Sequence, residues 1–160
     1  MGKVVTFRKL APVINKIKNQ AQKSVLVGGC FDVLHPGHVI FLEKAKKKGD
    51  ILIVLLEADE KVAELKGLNR PIHTQAMRAK VLSALQAVDY VVMLPFLKSE
   101  SAYDGLIRKI KPNVIALTSG YKEAYHHKRA AKLTGAKLKY VAKLVNGHST
   151  SRILGCSYEN

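Results

Sequence analysis

The stretch Ser24-Val-Leu-Val-Gly-Gly-Cys-Phe-Asp-Val-Leu-His-Pro-Gly-His38 places an apolar run, a glycine pair and a proline-glycine step in immediate succession. An aliphatic run that ends in Gly28 and Gly29 is typical of a buried strand whose last residues need conformational freedom or a close backbone approach. Pro36 is preorganised for the first turn of a helix. We therefore expect a strand over residues 24–28 and a helix over residues 37–48.

Outward from this stretch, short β-branched runs alternate with helical patterns, which is typical of βαβ units and a parallel sheet. The predicted strands cover residues 24–28, 51–57, 89–94, 113–117 and 137–142. The predicted helices cover residues 37–48, 59–65, 74–86, 100–110, 121–134 and 149–154. The sequence thus predicts an α/β fold with a doubly wound, five-stranded parallel sheet, in which the strand order reverses between the first and fourth strands.

The length of 160 residues suits one domain. We expect a helical lead-in over residues 1–22, a main domain over residues 23–155 and a tail over residues 156–160. Apolar runs such as 88–96 fall short of the roughly 20 residues of a membrane span. With no secretory signal apparent, we expect a cytoplasmic protein whose Cys30 and Cys156 are free thiols.

Charge is strongly unbalanced, with 27 Lys and Arg against 12 Asp and Glu, a formal net charge of +15. Such a charge attracts nucleic acid, an anionic membrane surface or a nucleoside triphosphate. Lysine runs such as residues 44–48, near a helix C-terminus, are also typical of a solvated surface. Charge alone therefore leaves the partner open.

Two loops, 28–38 and 117–121, should meet where the strand order reverses, and ligands of such sheets bind there. His35 and His38 are three residues apart, so both rings should lie on one side of the first helical turn. Gly37 keeps that turn slim, and the free amides of a helix N-terminus bind phosphate. A His-x-x-His metal site has too few ligands nearby, whereas Mg²⁺ arriving with a triphosphate fits the chemistry better.

Residues 29–38 resemble the Gly-Thr/Cys-Phe-Asp-x-x-His-x-Gly-His signature of the cytidylyltransferase-like nucleotidyltransferases. The resemblance extends over most of residues 24–154 and implies a Rossmann-like fold. The stretch Leu65-Lys-Gly-Leu-Asn-Arg-Pro71, followed by Arg78 and residues 84–92, is similar to the adenylyltransferase part of bacterial ADP-heptose synthesis enzymes. This similarity favours transfer of AMP from ATP to a sugar phosphate such as heptose 1-phosphate, with release of pyrophosphate.

The resemblance also implies roles for individual residues. The catalytic residues implied are His35, His38 and Lys66. Together with the loop argument, it assigns nucleotide binding to Gly29, Cys30, Phe31, Asp32, Gly37, Arg78, Thr118, Ser149, Thr150 and Ser151. A phosphate oxygen of the acceptor would attack the α-phosphorus in line without a covalent enzyme intermediate.

One segment departs from the family pattern. Where relatives commonly carry Gly-Gly-Asp or Gly-Asp-Asp, this chain has Leu117-Thr-Ser-Gly-Tyr121, which lacks a carboxylate. A missing aspartate changes what this loop offers to an acceptor or a metal. The identity of the acceptor therefore stays open.

Three alternatives compete with this prediction. The chain could be a cytidylyltransferase that uses CTP with glycerol phosphate or an aminoalcohol phosphate. It could bind RNA, although it lacks an obvious RNA-binding appendage, or it could be a non-catalytic nucleotide-binding relative. The preferred partners are a nucleoside triphosphate and a phosphorylated small-molecule acceptor, without a membrane, and dimers are common in the resembled family.

Overall fold

The computed structural model of the protein describes residues 1–67, 69–120, 124–143 and 155. Strands alternate with helices along these residues, and two helices separate the third strand from the fourth. The strands are β1 (Lys3–Thr6), β2 (Ser24–Gly29), β3 (Ile51–Leu56), β4 (Tyr90–Met93), β5 (Val114–Ser119) and β6 (Lys137–Lys143). The helices are α1 (Leu10–Asn19), α2 (Pro36–Lys46), α3 (Asp59–Lys66), α4 (Gln75–Ala84), α5 (Glu100–Ile110) and α6 (Ala124–Thr134). The helix predicted over residues 149–154 lies outside the described residues.

The strands of the described ranges form one parallel sheet in the order β1-β4-β3-β2-β5-β6. The order reverses between β2 and β5, as the sequence predicts. The prediction of five strands is wrong, because six are present in the described residues.

The missed strand is β1, which falls within the predicted helical lead-in. In the structure the lead-in helix is α1, preceded by β1 and a short 3-10 turn over Phe7–Lys9. Among the residues that the structure describes, β1 pairs with β4 alone, and Val5 is its one buried side chain. A four-residue edge strand with one inward residue produces no apolar alternation from which it could be predicted.

Apolar side chains fill both faces of the sheet. On one face α1 and α5 pack against strand residues such as Leu26 and Ile53. On the other, α2 and α4 pack against their neighbours in sequence, such as Val25 and Leu52. Successive strand residues point to opposite faces, so each central strand contributes to both cores. This packing fixes the ends of the strands, which carry the functional loops.

The parallel strands give the sheet two chemically different ends. We call the end at which the strands finish the carboxyl end, and the opposite one the amino end.

No helix of the described ranges is both long and apolar enough to cross a bilayer.

Candidate active site

The last residues of β2 open a space at the carboxyl end of the sheet. Gly28 and Gly29 pair with Leu55 and Leu56 of β3. A methyl group added at Gly28 would meet no atom nearer than Leu55, 3.9 Å away. Packing therefore does not require glycine at position 28, and the space beside it is available to a ligand.

Phe31 lies with its ring against Gly29, beside this space. Its φ is 44°, in the left-handed region that a bulky residue rarely adopts, and its ring is buried. The ring lies so close to Gly29 that an added Cβ there would be 2.9 Å from Phe31 Cε2. A side chain at position 29 would therefore collide with the ring of Phe31, so this position needs glycine.

His35 and His38 form a stacked pair at the start of α2. His35 is the N-cap with extended backbone, and Pro36 begins the helix. The two ring centroids are 3.9 Å apart, and the planes are tilted by 34°. The ring of His38 also contacts Phe31, with centroids 5.3 Å apart. Both histidines and Gly37 thus lie together at the positive end of the helix, as the spacing predicts.

The environment of His38 keeps its ring neutral. Burial, together with the charge of His35, lowers the pKa of His38 to about 4. The His35 N–H donates to Nδ1 of His38 across 3.4 Å. Because Nδ1 accepts, the proton of the neutral ring belongs on Nε2. His38 can therefore donate one hydrogen bond to a phosphate oxygen without carrying a charge.

Asp32 holds the loop that faces this helix. Its buried carboxylate accepts from Arg70 Nε at 2.5 Å and from the N–H groups of Ile72 and His73 at 2.9 and 3.0 Å. Burial alone would raise the pKa of Asp32, but these hydrogen bonds hold it below its usual range. The side chain predicted to contact the nucleotide is thus occupied with the protein's own chain, where it orients the site.

Arg78 is likewise turned inward. Its side chain is fully buried and donates to main-chain carbonyls of Cys30, Glu57 and His73 and to Asp59 Oδ1, the last at 2.7 Å. These bonds tie the ends of β2 and β3 to α4. In this arrangement Arg78 positions the loops, and its predicted contact with phosphate rests on the resemblance alone.

Lys66 ends α3 with its side chain exposed at the rim of the site. Burial raises the pKa of the Cys30 thiol, and the nearby charge of Lys66 acts against that rise. Lys66 is thus an exposed cation whose charge acts on Cys30, in the loop between β2 and α2.

A partly buried acid near this loop does not appear among the predicted site residues. Glu57 follows β3, and its carboxylate accepts from the Tyr103 hydroxyl of α5 at 2.8 Å. Burial raises the pKa of Glu57. The signal was available in the sequence, because Glu57 directly follows a strand that neighbours β2. Within the described ranges, no group of three or more His, Cys, Asp or Glu side chains is arranged to hold a metal.

The remaining predicted contacts come from later in the chain. Thr118 and Ser119 lie at the carboxyl end of β5, partly exposed, after a register shift between Leu117 and Thr118. β5 adjoins β2, so this end of the strand faces the same switch point. Ser149, Thr150 and Ser151 lie outside the described residues.

A doubly wound parallel sheet in which a helix begins at the switch point is the architecture of nucleotide-binding α/β domains. The cytidylyltransferase-like family model matches residues 26–153, and the chain belongs to that family.

Several known proteins resemble the chain. It is 38% identical over 159 residues to the bifunctional protein HldE of Aliarcobacter butzleri, covering 98% of this chain and 31% of that protein. It is also 38% identical to HldE of Wolinella succinogenes, covering 95% of this chain and 30% of that protein. The chain therefore spans under a third of these relatives.

Solved structures show the same fold. The lipopolysaccharide core biosynthesis protein from Thermoplasma volcanium superposes with a TM-score of 0.60 at 28% identity, covering 78% of this chain and 97% of that one. Pantoate-beta-alanine ligase from Francisella tularensis gives a TM-score of 0.67 at 16% identity, covering 92% of this chain and 69% of that one. At that identity the ligase supports the fold alone.

Proposed function

We propose that this chain transfers the adenylyl group of ATP to the phosphate of a sugar phosphate such as heptose 1-phosphate and releases pyrophosphate. The observation that carries the proposal is the stacked His35 and His38 pair at the start of α2, beside the open space at Gly28. The similarity to HldE proteins and to a lipopolysaccharide core biosynthesis protein supports a sugar phosphate as the acceptor.

The reaction needs charge stabilisation more than proton transfer. A phosphate oxygen of the acceptor, already ionised at neutral pH, attacks the α-phosphorus of ATP. The bond between the α-phosphorus and the bridging oxygen breaks, and pyrophosphate leaves with that electron pair. His38 donates from Nε2 to a phosphate oxygen, while Lys66 and the amides of α2 supply positive charge. Because the pKa of His38 lies near 4, the ring acts at neutral pH as a neutral donor.

Magnesium enters as part of the substrate. The carboxylates of Asp32 and Asp59 are paired with Arg70 and Arg78, so both are directed into the protein's own network. A Mg²⁺ ion would therefore be held chiefly by the phosphate oxygens of ATP and by water, as this ion prefers. Thr118, Ser149, Thr150 and Ser151 remain proposed contacts to the phosphates.

The decisive assay measures pyrophosphate release from ATP and from CTP, each paired with heptose 1-phosphate, another sugar 1-phosphate, glycerol phosphate or an aminoalcohol phosphate. We expect release with ATP and a sugar 1-phosphate, dependent on both substrates. Release only with CTP and an alcohol phosphate would replace the proposal by the cytidylyltransferase alternative. If no pair reacts and the chain still binds nucleotide, it is a non-catalytic member of the family.

A further inference from the structure

A second concave region lies at the amino end of the sheet, away from the histidines. Its volume is about 580 Å³, and it opens where α1, α5 and α6 end and where β2, β5 and β6 begin. β2 separates it from Gly29 by about 16 Å, at the usual rise of a strand. The buried side chains Ile14, Ile17 and Ile110 form an apolar part of its wall.

The rim of this cavity is cationic. Lys18, Lys23, Lys111 and Lys137 line it, and no acidic residue does. Within the described part of the chain, none of these lysines takes part in a salt bridge. The Asp50 carboxylate accepts from the Lys23 main-chain N–H at 2.7 Å and offsets part of this charge, but the four lysines still leave the rim with a net positive charge.

Helix C-termini carry partial negative charge, about half a unit each, and three of them meet here. One carbonyl near each of these ends accepts a hydrogen bond from the chain: Ile17 from Gln22 N–H, Ile107 from Lys111 N–H, and Ala131 from Gly135 N–H. The four full charges of the lysines exceed the helix contribution. The net field in the cavity thus favours an anion.

Asn113 adds a neutral donor to the same wall. Its Oδ1 accepts from the Ser24 N–H at 2.8 Å and from the Ser24 hydroxyl at 3.1 Å. Since only the oxygen can accept, these two bonds fix the orientation of the side-chain amide. The NH₂ group is left as the part of Asn113 that can donate to a ligand.

We propose that this cavity binds a small phosphorylated molecule, with its phosphate on the lysines and Asn113 and its apolar or planar part against the isoleucines. The volume lies in the range of small-molecule sites. An extended anionic surface, by contrast, would contact exposed lysines whether or not they line a cavity, including the lysines at the end of α2. The proposal is independent of the adenylyl-transfer function.

The test titrates the ¹⁵N-labelled full chain with phenyl phosphate and, separately, with inorganic phosphate. We expect the amide signals of Lys23, Asn113 and Gly135 to shift and phenyl phosphate to bind about tenfold more tightly, because its ring can bury apolar surface. The same shifts should persist when His35 and His38 are both replaced by alanine. Shifts confined to residues 28–38 would overturn the proposal.

A pair of matched triple variants separates a site from a general charge effect. The variant Lys18→Gln/Lys23→Gln/Lys137→Gln should weaken phenyl phosphate binding at least about tenfold. The control Lys44→Gln/Lys47→Gln/Lys48→Gln removes equal charge from exposed positions outside the cavity lining and should weaken it less than about threefold.

Equal weakening by the two triples would show unspecific attraction and reject the site. Parallel titrations with duplex RNA and with phosphatidylglycerol vesicles identify the other sources of anionic groups. Binding of either without any phenyl phosphate shift at the amino end would also reject a small-molecule site. Both results are read without an activity assay, so they do not depend on the outcome for adenylyl transfer.

Discussion

Gly28, at the carboxyl end of β2, has open space where a side chain would be, whereas Gly49, which precedes β3 at the amino end, is pressed against the backbone. A Cβ at Gly49 would lie 2.5 Å from the Lys23 carbonyl oxygen and 2.7 Å from Val25 Cγ2. At Gly28 the nearest atom would be 3.9 Å away. One glycine is therefore required by packing, and the other leaves room for a ligand.

Charge is also distributed differently at the two ends. At the carboxyl end Asp32 pairs with Arg70 and Arg78 with Asp59, and both arginine side chains are buried. At the amino end Lys46 pairs with Asp89 at 2.6 Å, whereas the four lysines that line the cavity are exposed. Buried pairs fix the geometry of loops, whereas exposed lysines retain the freedom to meet an anion. The predictions that follow test this contrast.

The largest effect should come from His38→Ala. Turnover should fall about 10²- to 10³-fold, the usual cost of losing one donor to a transition-state oxygen. The matched control is His126→Ala on α6, a histidine exposed to solvent, which should leave turnover within about twofold. Steady-state pyrophosphate release checks both variants, with circular dichroism to verify the fold. If His38→Ala keeps wild-type turnover, the proposed reaction does not take place at the carboxyl end of the sheet.

Arg78→Met should lower the free energy of unfolding by about 3 kcal/mol, because it leaves buried main-chain carbonyls without the hydrogen bonds that the guanidinium donates. Lys80→Met, an exposed change on the same helix, should alter it by no more than about 0.5 kcal/mol. Urea unfolding of the three proteins gives the comparison. If both variants lose the same small amount, Arg78 does not hold the loops together.

The two glycines should respond in opposite ways to alanine. Gly49→Ala should cost about 2 kcal/mol of unfolding free energy through overpacking, with nucleotide affinity retained. Gly28→Ala should keep stability within about 0.5 kcal/mol but weaken ATP binding about tenfold, because its methyl group occupies ligand space. Thermal unfolding and calorimetric titration measure the two quantities. Equal nucleotide affinity in both variants would contradict the assignment of the open space.

A smaller effect concerns pH. The unfolded chain protonates His38 near its ordinary pKa of about 6.5, while the folded chain does so only near a pKa of about 4. The unfolded state therefore binds more protons as the pH falls through this window, and stability falls with it. Relative to His38→Gln, the wild type should lose about 2 kcal/mol of unfolding free energy between pH 7 and pH 5.

Urea unfolding at several pH values checks this difference. Parallel curves for wild type and His38→Gln would mean that the ring of His38 is not held neutral. In that case another group would have to be the neutral hydrogen-bond donor to the phosphate oxygen.

Much of the fold could be predicted from the sequence, because the spacing of apolar residues and the glycines and prolines at the ends of elements are local signals. The run Ile51–Leu56 forms β3 as expected, and Pro36 begins α2. The edge strand β1 was missed since its stability depends on pairing with β4, which is distant in the chain. The stacking of His35 and His38 follows from their spacing of three residues.

The roles of charged residues could not be predicted in the same way. Arg78 and Asp32 have the side chains of phosphate and metal ligands, but both are used to hold the protein's own loops. Glu57 and Tyr103 meet although they are 46 positions apart. Which partner a long polar side chain finds depends on groups that only the folded chain brings near.

By itself, the sequence determined the parallel α/β fold, the switch point and the histidine pair, because these depend on periodicity and on neighbours within one helical turn. Only the tertiary structure decided that Gly28 is open and Gly49 is closed, that Arg78 faces inward, and that lysines from three separate segments surround one cavity. The physical reason is that burial and electrostatic fields are sums over atoms from distant parts of the chain.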